Sequence, residues 1–340
     1  MTTPPATMDA YDYPLVEDAI AQSPIEPRDA ARLLVSLDPG EPGRHLHVRD
    51  LPDLLRPGDV LVVNDTRVLP ARLRLRKRTG GRAEVLLLEP CTPGGQDWEA
   101  LVRPGRRLAA GTVLLGPGGD PVVEVGEPVG DGGLRRVRLL ADPWPVGEVP
   151  LPPYLHTRLV DPERYQTVYA ARPASVAAPT AGLHLTREVI DACRAGGVEF
   201  ATVDLAVGLD TFRPVSVPDP AQHRMHSEAY RVTAATWEAC RRARADGGRV
   251  VAVGTTTVRA LETAAATGAL EGRTALYIRP PYPFAVVDVL LTNFHLPRSS
   301  LLLLVEAFAG PRWRDLYDVA LAAGYRFLSF GDAMLLGRAT

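Results

Sequence analysis

Residues 249–259 read RVVAVGTTTVR, and this stretch decides the class of fold. Its first part, Arg249 to Val253, is a short valine-rich run that predicts a buried β-strand. A glycine and three threonines follow, and they can open a helix that we expect from about Thr256 to Ala266. A strand that passes through a glycine into a helix is typical of α/β proteins, whose functional loops lie at the carboxyl ends of the strands.

The alternation of strand and helix extends to both sides of this stretch. Thr186 can cap a helix that ends near Gly196, and a strand at 198–205 follows it. Thr233 can cap another helix that ends near Gly247. The remaining predicted elements are buried or strand-like segments at 60–64 and 274–278 and a helix opened by Ser299 and Ser300.

A different pattern occupies the region between these elements. Residues 72–76 alternate arginine and leucine, and a turn with two glycines at 79–81 predicts a hairpin. The hairpin would place Leu73 and Leu75 on one face and three arginines on the other. The chain to about residue 150 is rich in glycine and proline, as in all-β modules. We therefore predict a large α/β domain of residues 1–66 and 152–340, with an all-β domain of residues 67–151 inserted into it.

The composition is that of a globular protein in the cytoplasm. With 46% hydrophobic and 23% charged residues, the chain of 340 residues can bury two cores. Its longest apolar run, around 301–305, is far too short for a membrane span, and the first thirteen residues do not resemble a signal peptide. The three cysteines are widely spaced, which predicts neither a disulfide framework nor a metal site and favours a reducing compartment. A net charge of −2 leaves any nucleic-acid contact to local patches.

Two polar turns are candidates for a ligand site. Residues 176–186, VAAPTAGLHLT, place His184 beside backbone N–H groups ahead of a helix, which suits an anionic or polar ligand. Taken alone, this segment is more often a Pro-Gly loop with a solvated histidine. Thr255, Thr256 and Arg259 lie at the start of the helix after the valine-rich strand, where a carboxylate or phosphate can bind. Simple threonine capping explains them equally well, and the glycine spacing and lysine of a P-loop are missing.

Three further segments carry groups suited to proton transfer or binding. His226 and Glu228 lie in a predicted loop, where a carboxylate can tune the pKa of an imidazole. Their spacing is not that of a zinc site, and a solvated loop is the alternative. Asn293 and His295 follow an apolar strand, and so do Asp65 and Arg67, for which a local turn or ion pair is the alternative. The chain has no G-x-S-x-G or G-x-G-x-x-G motif, which excludes the commonest hydrolases and dehydrogenases.

Taken together and in order, these segments resemble the S-adenosylmethionine:tRNA ribosyltransferase-isomerase family of queuosine biosynthesis. The resemblance implies the family's fold, a large barrel-like α/β domain with a smaller β-barrel domain inserted. The resembling blocks are LVVNDTRVLPARL at 61–73, PPYLHTRLVDPERYQTVYA at 152–170, VAAPTAGLHLT at 176–186, RMHSE at 224–228, VGTTTVRALE at 253–262, LLTNFHLP at 290–297 and YRFLSFGDAMLL at 325–336.

The resemblance also implies a reaction. In that family S-adenosylmethionine donates its ribosyl group to the aminomethyl group of a 7-deazaguanine base at the tRNA wobble position, giving epoxyqueuosine, adenine and methionine. The sulfonium acidifies the C5′ hydrogens, so the proposed mechanism needs a base, an acid for adenine and exclusion of water. It implies S-adenosylmethionine as co-substrate, tRNA as partner and no metal or prosthetic group. The chain is expected to act in the cytoplasm away from membranes, and its sequence does not demand more than a monomer.

We assign candidate roles within that reaction as hypotheses. His184 and His226 are acid–base candidates, and Glu228 orients them or shares the proton. The other candidates hold the substrates: Thr255, Thr256 and Arg259 for the methionine carboxylate or a tRNA phosphate, Asp65 and Arg67 for the donor or the base, and Thr180, Gly182, Asn293 and His295 to complete the pocket.

Four positions depart from the family's usual residues. Ala206 stands where the family usually has histidine, and Asp210, Pro281 and Val289 stand where glycine is usual. The loss of an imidazole changes the chemistry, and the loss of glycine restricts loops, so we expect changes near the loops of the site. Two alternatives follow: a paralogue that uses a small-molecule deazapurine acceptor, or a non-catalytic protein that binds S-adenosylmethionine or RNA.

Overall fold

The computed structural model describes residues 7–40, 42–92, 94–105, 108–129, 133–208, 215 and 217–339. The chain divides into two compact units. The large unit consists of Met1–Thr66, Pro152–Arg172 and Ala178–Thr340, and the small unit consists of Arg67–Leu151 and Pro173–Ala177.

The large unit is built on a mixed β-sheet with helices. Its helices are α1 Leu51–Leu54, α2 Arg187–Ala195, α3 Ala234–Ala245, α4 Thr255–Thr267, α5 Ser300–Ala309 and α6 Trp313–Ala322. Short 3-10 helices lie at Met8–Tyr11, Glu17–Ala19, Arg28–Ala30, Val48–Asp50, Pro162–Tyr165, Thr180–His184 and Pro220–Gln222. Its sheet strands are β1 Arg32–Ser36, β2 Arg44–His47, β3 Val60–Asn64, β13 Glu199–Leu205, β14 Glu228–Val232, β15 Val250–Val253, β16 Glu271–Thr274, β17 Val289–Asn293 and β18 Ala333–Gly337.

The order of the nine strands is β16-β14-β13-β3-β15-β17-β18-β1-β2. Strands β13, β3, β15 and β17 are parallel neighbours at its centre. Their carboxyl ends therefore lie along one edge of the sheet, the edge at which α/β proteins bind ligands. The residues that end them are Leu205, Asn64, Val253 and Asn293.

Strands β3, β15 and β17 are buried on both faces of the sheet, which explains their continuous apolar runs. Leu61, Val251 and Leu291 pack in one cluster with Val189 and Ile190 of α2. Helix α4 contacts the same strands and contributes no residue to that cluster, so it covers the opposite face.

The small unit is a closed barrel of six antiparallel strands in the order β5-β6-β7-β10-β9-β8, and a pairing of β5 with β8 closes it. The alternation of arginine and leucine at 72–76 forms a barrel strand as predicted. Leu73 and Leu75 are buried inside the barrel, and Arg74 and Arg76 are exposed. The strands are β5 Arg72–Lys77, β6 Arg82–Pro90, β7 Asp97–Arg103, β8 Thr112–Leu115, β9 Pro121–Pro128, β10 Leu134–Leu139 and β11 Gly147–Glu148, which pairs with β5. Trp144–Val146 is a 3-10 helix, and β4 Thr66–Val68 pairs with β12 Arg172–Ser175.

The expected fold class, a large α/β domain with an inserted all-β barrel domain, is confirmed. Thr186 and Thr233 cap α2 and α3 as predicted, since their hydroxyls accept hydrogen bonds from Val189 N (3.2 Å) and Thr236 N (3.0 Å). The strand expected at 274–278 is wrong, because β16 ends at Thr274. Exposed residues 271–273 pair with β14 despite their polarity, and pairing at a sheet edge needs no apolar face.

Candidate functional site

A cleft opens at the edge of the large unit where its central parallel strands end. Its cavity volume is about 50 Å³, below the roughly 300–1,000 Å³ of sites for small molecules, so a bound molecule of that class would extend through the open mouth. The lining combines apolar side chains with hydroxyls, one amide and one imidazole. The residues that carry the polar groups are Tyr154, Thr180, Thr255, Thr256, Thr292, Asn293, His295, Ser299 and Ser329.

The start of α4 forms one wall of the cleft. Gly254 precedes the helix with a φ of 87°, a left-handed conformation that glycine adopts without strain and that leaves the helix without a side-chain cap. The first N–H groups of a helix have no partner inside it and carry the positive end of its dipole. Thr255 and Thr256 are buried at this end and add their hydroxyls. This wall can therefore bind a carboxylate or phosphate.

The side chain of Asn64 supports this wall of the cleft through hydrogen bonds. Its side-chain nitrogen donates to the Leu205 carbonyl (3.0 Å) and to the Thr256 hydroxyl (3.2 Å). Its side-chain oxygen accepts from the backbone N–H groups of Leu205 (3.1 Å) and Thr66 (3.2 Å). Asn64 was not among the candidates, because an asparagine at a strand end is also typical of an ordinary turn.

His184 is buried at the end of the 3-10 helix Thr180–His184, and its Nε2 lies 3.0 Å from Oδ1 of Asn293. The amide nitrogen of Asn293 donates to the Leu328 carbonyl (2.9 Å), so Oδ1 is the atom that faces the imidazole. Nε2 must then carry the proton, and Nδ1 keeps its lone pair. Burial lowers the pKa of His184 to about 4, although the hydrogen bond to Asn293 opposes this shift. His184 is therefore a neutral imidazole at neutral pH.

His295 lies in the cleft wall itself. Its Nε2 is 2.9 Å from the Thr292 hydroxyl, its backbone N–H donates to the Tyr317 hydroxyl (2.9 Å), and its carbonyl accepts from the Tyr13 hydroxyl (2.5 Å). Burial lowers the pKa of His295 to about 3. His295 is therefore the neutral imidazole of the cleft lining, whereas His184 borders a separate small cavity with Arg28 and Arg164.

Gly182 gives the turn before His184 its close packing. A Cβ atom at this position would lie 2.0 Å from the hydroxyl oxygen of Tyr169 and 3.1 Å from Cγ2 of Thr167. The backbone of the turn therefore lies against Tyr169, at a distance that only glycine allows.

Glu228 and Arg259 form a buried ion pair. The guanidinium donates to Oε2 of Glu228 and to the Leu276 carbonyl (3.0 Å), and the Gly208 N–H donates to Oε1 (2.9 Å). Neither side chain lines the cleft, although Arg259 Nη2 is buried with no partner among the described residues. Glu228 was expected beside His226, but its carboxylate is bound by Arg259, and His226 is exposed.

Asp65 and Arg67 follow β3 as expected, and both are half-buried. The Asp65 N–H donates to the Val203 carbonyl (2.9 Å), which fixes the turn. Burial raises the pKa of Asp65, and the nearby Asp204 raises it further against the hydrogen bond from Thr202. Arg67 belongs to the small unit and is not part of the cleft lining.

Four polar lining residues were not among the candidates from the sequence: Tyr154, Thr292, Ser299 and Ser329. The Tyr154 hydroxyl lies 2.7 Å from the Ser329 hydroxyl, and both line the cleft. They are 175 residues apart in the chain, and their only signal was their place in the resembling blocks at 152–170 and 325–336.

The departures from the family pattern do not all lie at this edge. Ala206 directly follows β13 and precedes Val207, which lines the cleft. Pro281 lies in an exposed bend. Val289 begins β17, about 13 Å along the strand from Asn293, so its expected place near a site loop is wrong. Asp210 lies outside the described residues.

Among the described residues, no group of three or more His, Cys, Asp or Glu side chains is arranged to hold a metal ion. Within the same part of the chain, no helix has the length and apolarity needed to cross a bilayer. Cys91, Cys193 and Cys240 are free thiols.

Comparison with known proteins places this fold and cleft in one family. Residues 8–336 match the family model of queuosine biosynthesis proteins. The S-adenosylmethionine:tRNA ribosyltransferase-isomerase of Thermus thermophilus is 53% identical over 349 residues, 97% of this chain and 99% of the relative. That of Synechococcus elongatus is 52% identical, with 97% and 95% covered. The crystal structure of S-adenosylmethionine tRNA ribosyltransferase from Thermotoga maritima has a TM-score of 0.56 and 38% identity, with 96% of this chain and 99% of that chain covered.

The fold and the polar cleft at its strand ends define an α/β enzyme with an inserted β-barrel. The chain belongs to the queuosine biosynthesis protein family.

Proposed function

We propose that this chain transfers and isomerises the ribosyl group of S-adenosylmethionine onto 7-aminomethyl-7-deazaguanine in tRNA, giving epoxyqueuosine, adenine and methionine. Relatives that are about half identical over nearly the whole chain carry the name of this activity. The structural observation that supports it is the cleft at the strand ends, whose lining includes an uncapped helix start and a neutral imidazole.

The start of α4 would bind the methionine carboxylate of the donor. The N–H groups and hydroxyls of Thr255 and Thr256 supply donors and a favourable dipole without a full positive charge. Arg259 is neutralised by Glu228, so its proposed role is to support the start of α4, and its Nη2, which has no partner among the described residues, could donate to the substrate.

His184 is proposed as the base that removes a C5′ proton. It is unprotonated at neutral pH, and its hydrogen bond to Asn293 directs the lone pair to Nδ1. A carboxylate that bound nearby would raise the pKa of the imidazole and strengthen the base. His226 is the second acid–base candidate and Glu228 its proposed orienting partner, which requires a rearrangement because Glu228 is bound to Arg259.

The other candidates would complete the site. Asn293 positions His184, and His295 offers the donor a second uncharged ring. Asp65 and Arg67 would position the donor or the base. Thr180 and Gly182 shape the turn that carries His184.

We also propose that residues 1–66 and 152–340 form one domain and residues 67–151 the other. The protein would act in the cytoplasm as a monomer, without a prosthetic group. Three free thiols support a reducing compartment. Size-exclusion chromatography with light scattering checks the monomer: a mass near 36.7 kDa is expected, and twice that mass would contradict it.

The test combines mass spectrometry of tRNA that carries the 7-aminomethyl-7-deazaguanine base with measurement of adenine and methionine release. Purified protein and S-adenosylmethionine should yield epoxyqueuosine, adenine and methionine in equal amounts. His184→Ala and His226→Ala should each lose at least about 100-fold in turnover. His47→Ala, an exposed residue on edge strand β2, is the matched control. Failure of folded wild-type protein to release adenine would refute the activity, and near-normal turnover in both variants would refute the site assignment.

A further inference from the structure

The small unit has a groove of its own beside the β5–β6 hairpin. Its cavity volume is about 990 Å³, at the upper end of the roughly 300–1,000 Å³ of sites for small molecules. Glu84 is the one acidic side chain among the described residues that line the groove. The cationic residues that line it are Arg74, Arg76, Lys77, Arg78, Arg82 and Arg103.

Half of this charge, three of the six cationic residues, is not neutralised within the described part of the protein. Arg74 pairs with Glu148 at 2.9 Å, and Arg103 lies opposite Glu84 in the register of β6 and β7. Arg76, Arg78 and Arg82 are exposed, and they make no ion pair with a carboxylate of the described residues. These three guanidinium groups are therefore available to a ligand.

Two of these guanidinium groups are neighbours in the barrel, and their repulsion destabilises the fold. Arg76 and Arg82 are directly opposite each other in the register of β5 and β6. Like charges in this relation destabilise a sheet, and folding alone would favour a residue of opposite charge at one of the two positions. An anionic ligand would offset the repulsion, so the pair indicates a binding surface.

The shape and chemistry of the groove favour a chain of phosphates. Guanidinium groups donate two hydrogen bonds at once to a phosphate. The groove is open to solvent, as a polymer requires, and none of its described lining residues has an aromatic side chain on which a base could stack. Contact would therefore be with the backbone of an RNA and not with its bases.

We propose that this groove binds the phosphate backbone of the tRNA substrate, an inference that rests on the proposed function for the identity of the RNA. The binding is independent of base sequence and strongly dependent on salt, because each phosphate contact releases counterions.

The test compares the triple variant R76Q/R78Q/R82Q with a control that removes the same charge elsewhere. The control is R136Q/R187Q/R241Q, three exposed arginines outside the groove. The groove variant should bind tRNA at least about tenfold more weakly, and the slope of log affinity against log salt should fall by about 2 to 3. Its KM for S-adenosylmethionine should not change. Its thermal stability should equal or exceed that of wild type, which separates lost binding from lost folding.

Binding and turnover are measured separately, so that the two proposals can fail separately. If wild type modifies tRNA and the groove variant matches the control in affinity and salt slope, the groove proposal is refuted and the activity stands. If wild type does not modify tRNA but the groove variant alone loses RNA affinity, the activity is refuted and the groove remains an RNA site. Loss of binding to anionic lipid vesicles with unchanged tRNA affinity would assign the groove to a membrane surface and overturn the proposal.

Discussion

Asn293 determines which nitrogen of His184 carries the proton. The two side chains lie 3.0 Å apart across a buried contact, and the amide of Asn293 is oriented by the Leu328 carbonyl at 2.9 Å. Leu328 itself has a φ of 68°, a conformation that costs a non-glycine residue about 1–2 kcal/mol. A strained backbone, an amide and an imidazole are thus linked at the end of β17, beside the proposed donor site.

Asn293→Asp tests this relationship. The substitution keeps the acceptor for His184 but places a carboxylate against the Leu328 carbonyl, so it should destabilise the fold by about 1–3 kcal/mol. The new negative charge should also raise the pKa of His184 from its value of about 4. NMR titration of the histidine side chains checks the shift. An unchanged His184 titration in a folded variant would contradict the assigned contact.

The two buried histidines predict a loss of stability in acid. Burial lowers their pKa values from 6.5 to about 4 for His184 and about 3 for His295. Below pH 6.5 the unfolded chain binds protons that the folded protein excludes, so stability falls as the pH drops from 6.5 towards the folded values. Above pH 6.5 this contribution is fully present. Each histidine should add a slope of about 1.4 kcal/mol per pH unit within its window.

Urea unfolding at several pH values between about 3 and 7.5 measures this slope. His184→Gln should remove the contribution of one histidine to the slope of stability against pH between pH 4 and 6.5. His295→Gln should remove an equal contribution over a window that reaches lower pH. His156→Gln, at an exposed position, is the matched control. If either buried-site variant kept the full wild-type slope, the neutral form of that histidine would not be the origin of the dependence.

The ion pair of Glu228 and Arg259 should be important for folding. Arg259→Met leaves a buried carboxylate unpaired and should cost about 3–5 kcal/mol, whereas the double variant Glu228→Gln/Arg259→Met should cost much less. In the double variant the glutamine still accepts from the Gly208 N–H. The exposed pair Glu238–Arg241, 3.3 Å apart, is the control, and Arg241→Met should cost less than about 1 kcal/mol. If Arg259→Met and Arg241→Met lowered the free energy of unfolding equally, the buried ion pair would be no more important for folding than the exposed one.

Local sequence signals were sufficient for most of the fold. The alternation at 72–76 depends only on the period of a strand, and the threonine caps of α2 and α3 depend on one hydroxyl and a nearby N–H. The edge strand β16 was missed because its polar residues carry no periodic apolar signal.

The candidate site was predictable only in part. The ends of β3, β15 and β17 meet because parallel strands end at one edge, so Thr255, Asn293 and His295 could be expected near one another. The partners of individual side chains depend on tertiary packing. Glu228 lies two residues from His226 in the sequence but binds Arg259, 31 residues away, through a contact that no local spacing specifies.

Gly182 provides the most direct test of how the turn supports His184. In Gly182→Ala the new methyl group would collide with the hydroxyl oxygen of Tyr169, 2.0 Å away, and should destabilise the protein by about 1–3 kcal/mol. The same displacement should lower kcat, because His184 lies two residues further along the 3-10 helix. Tyr169→Phe alone should cost little, since that hydroxyl has no hydrogen-bond partner among the described residues.

Combining the two substitutions distinguishes a local collision from a general intolerance of alanine. Phenylalanine removes the oxygen atom, and the next contacts of the methyl group are carbon atoms of residues 167 and 169 at 3.1 Å, which a small shift can relieve. Gly182→Ala/Tyr169→Phe should therefore recover part of both the stability and kcat, as measured by urea unfolding and adenine release. A double variant no better than Gly182→Ala alone would mean that the turn needs glycine for a reason other than its contact with Tyr169.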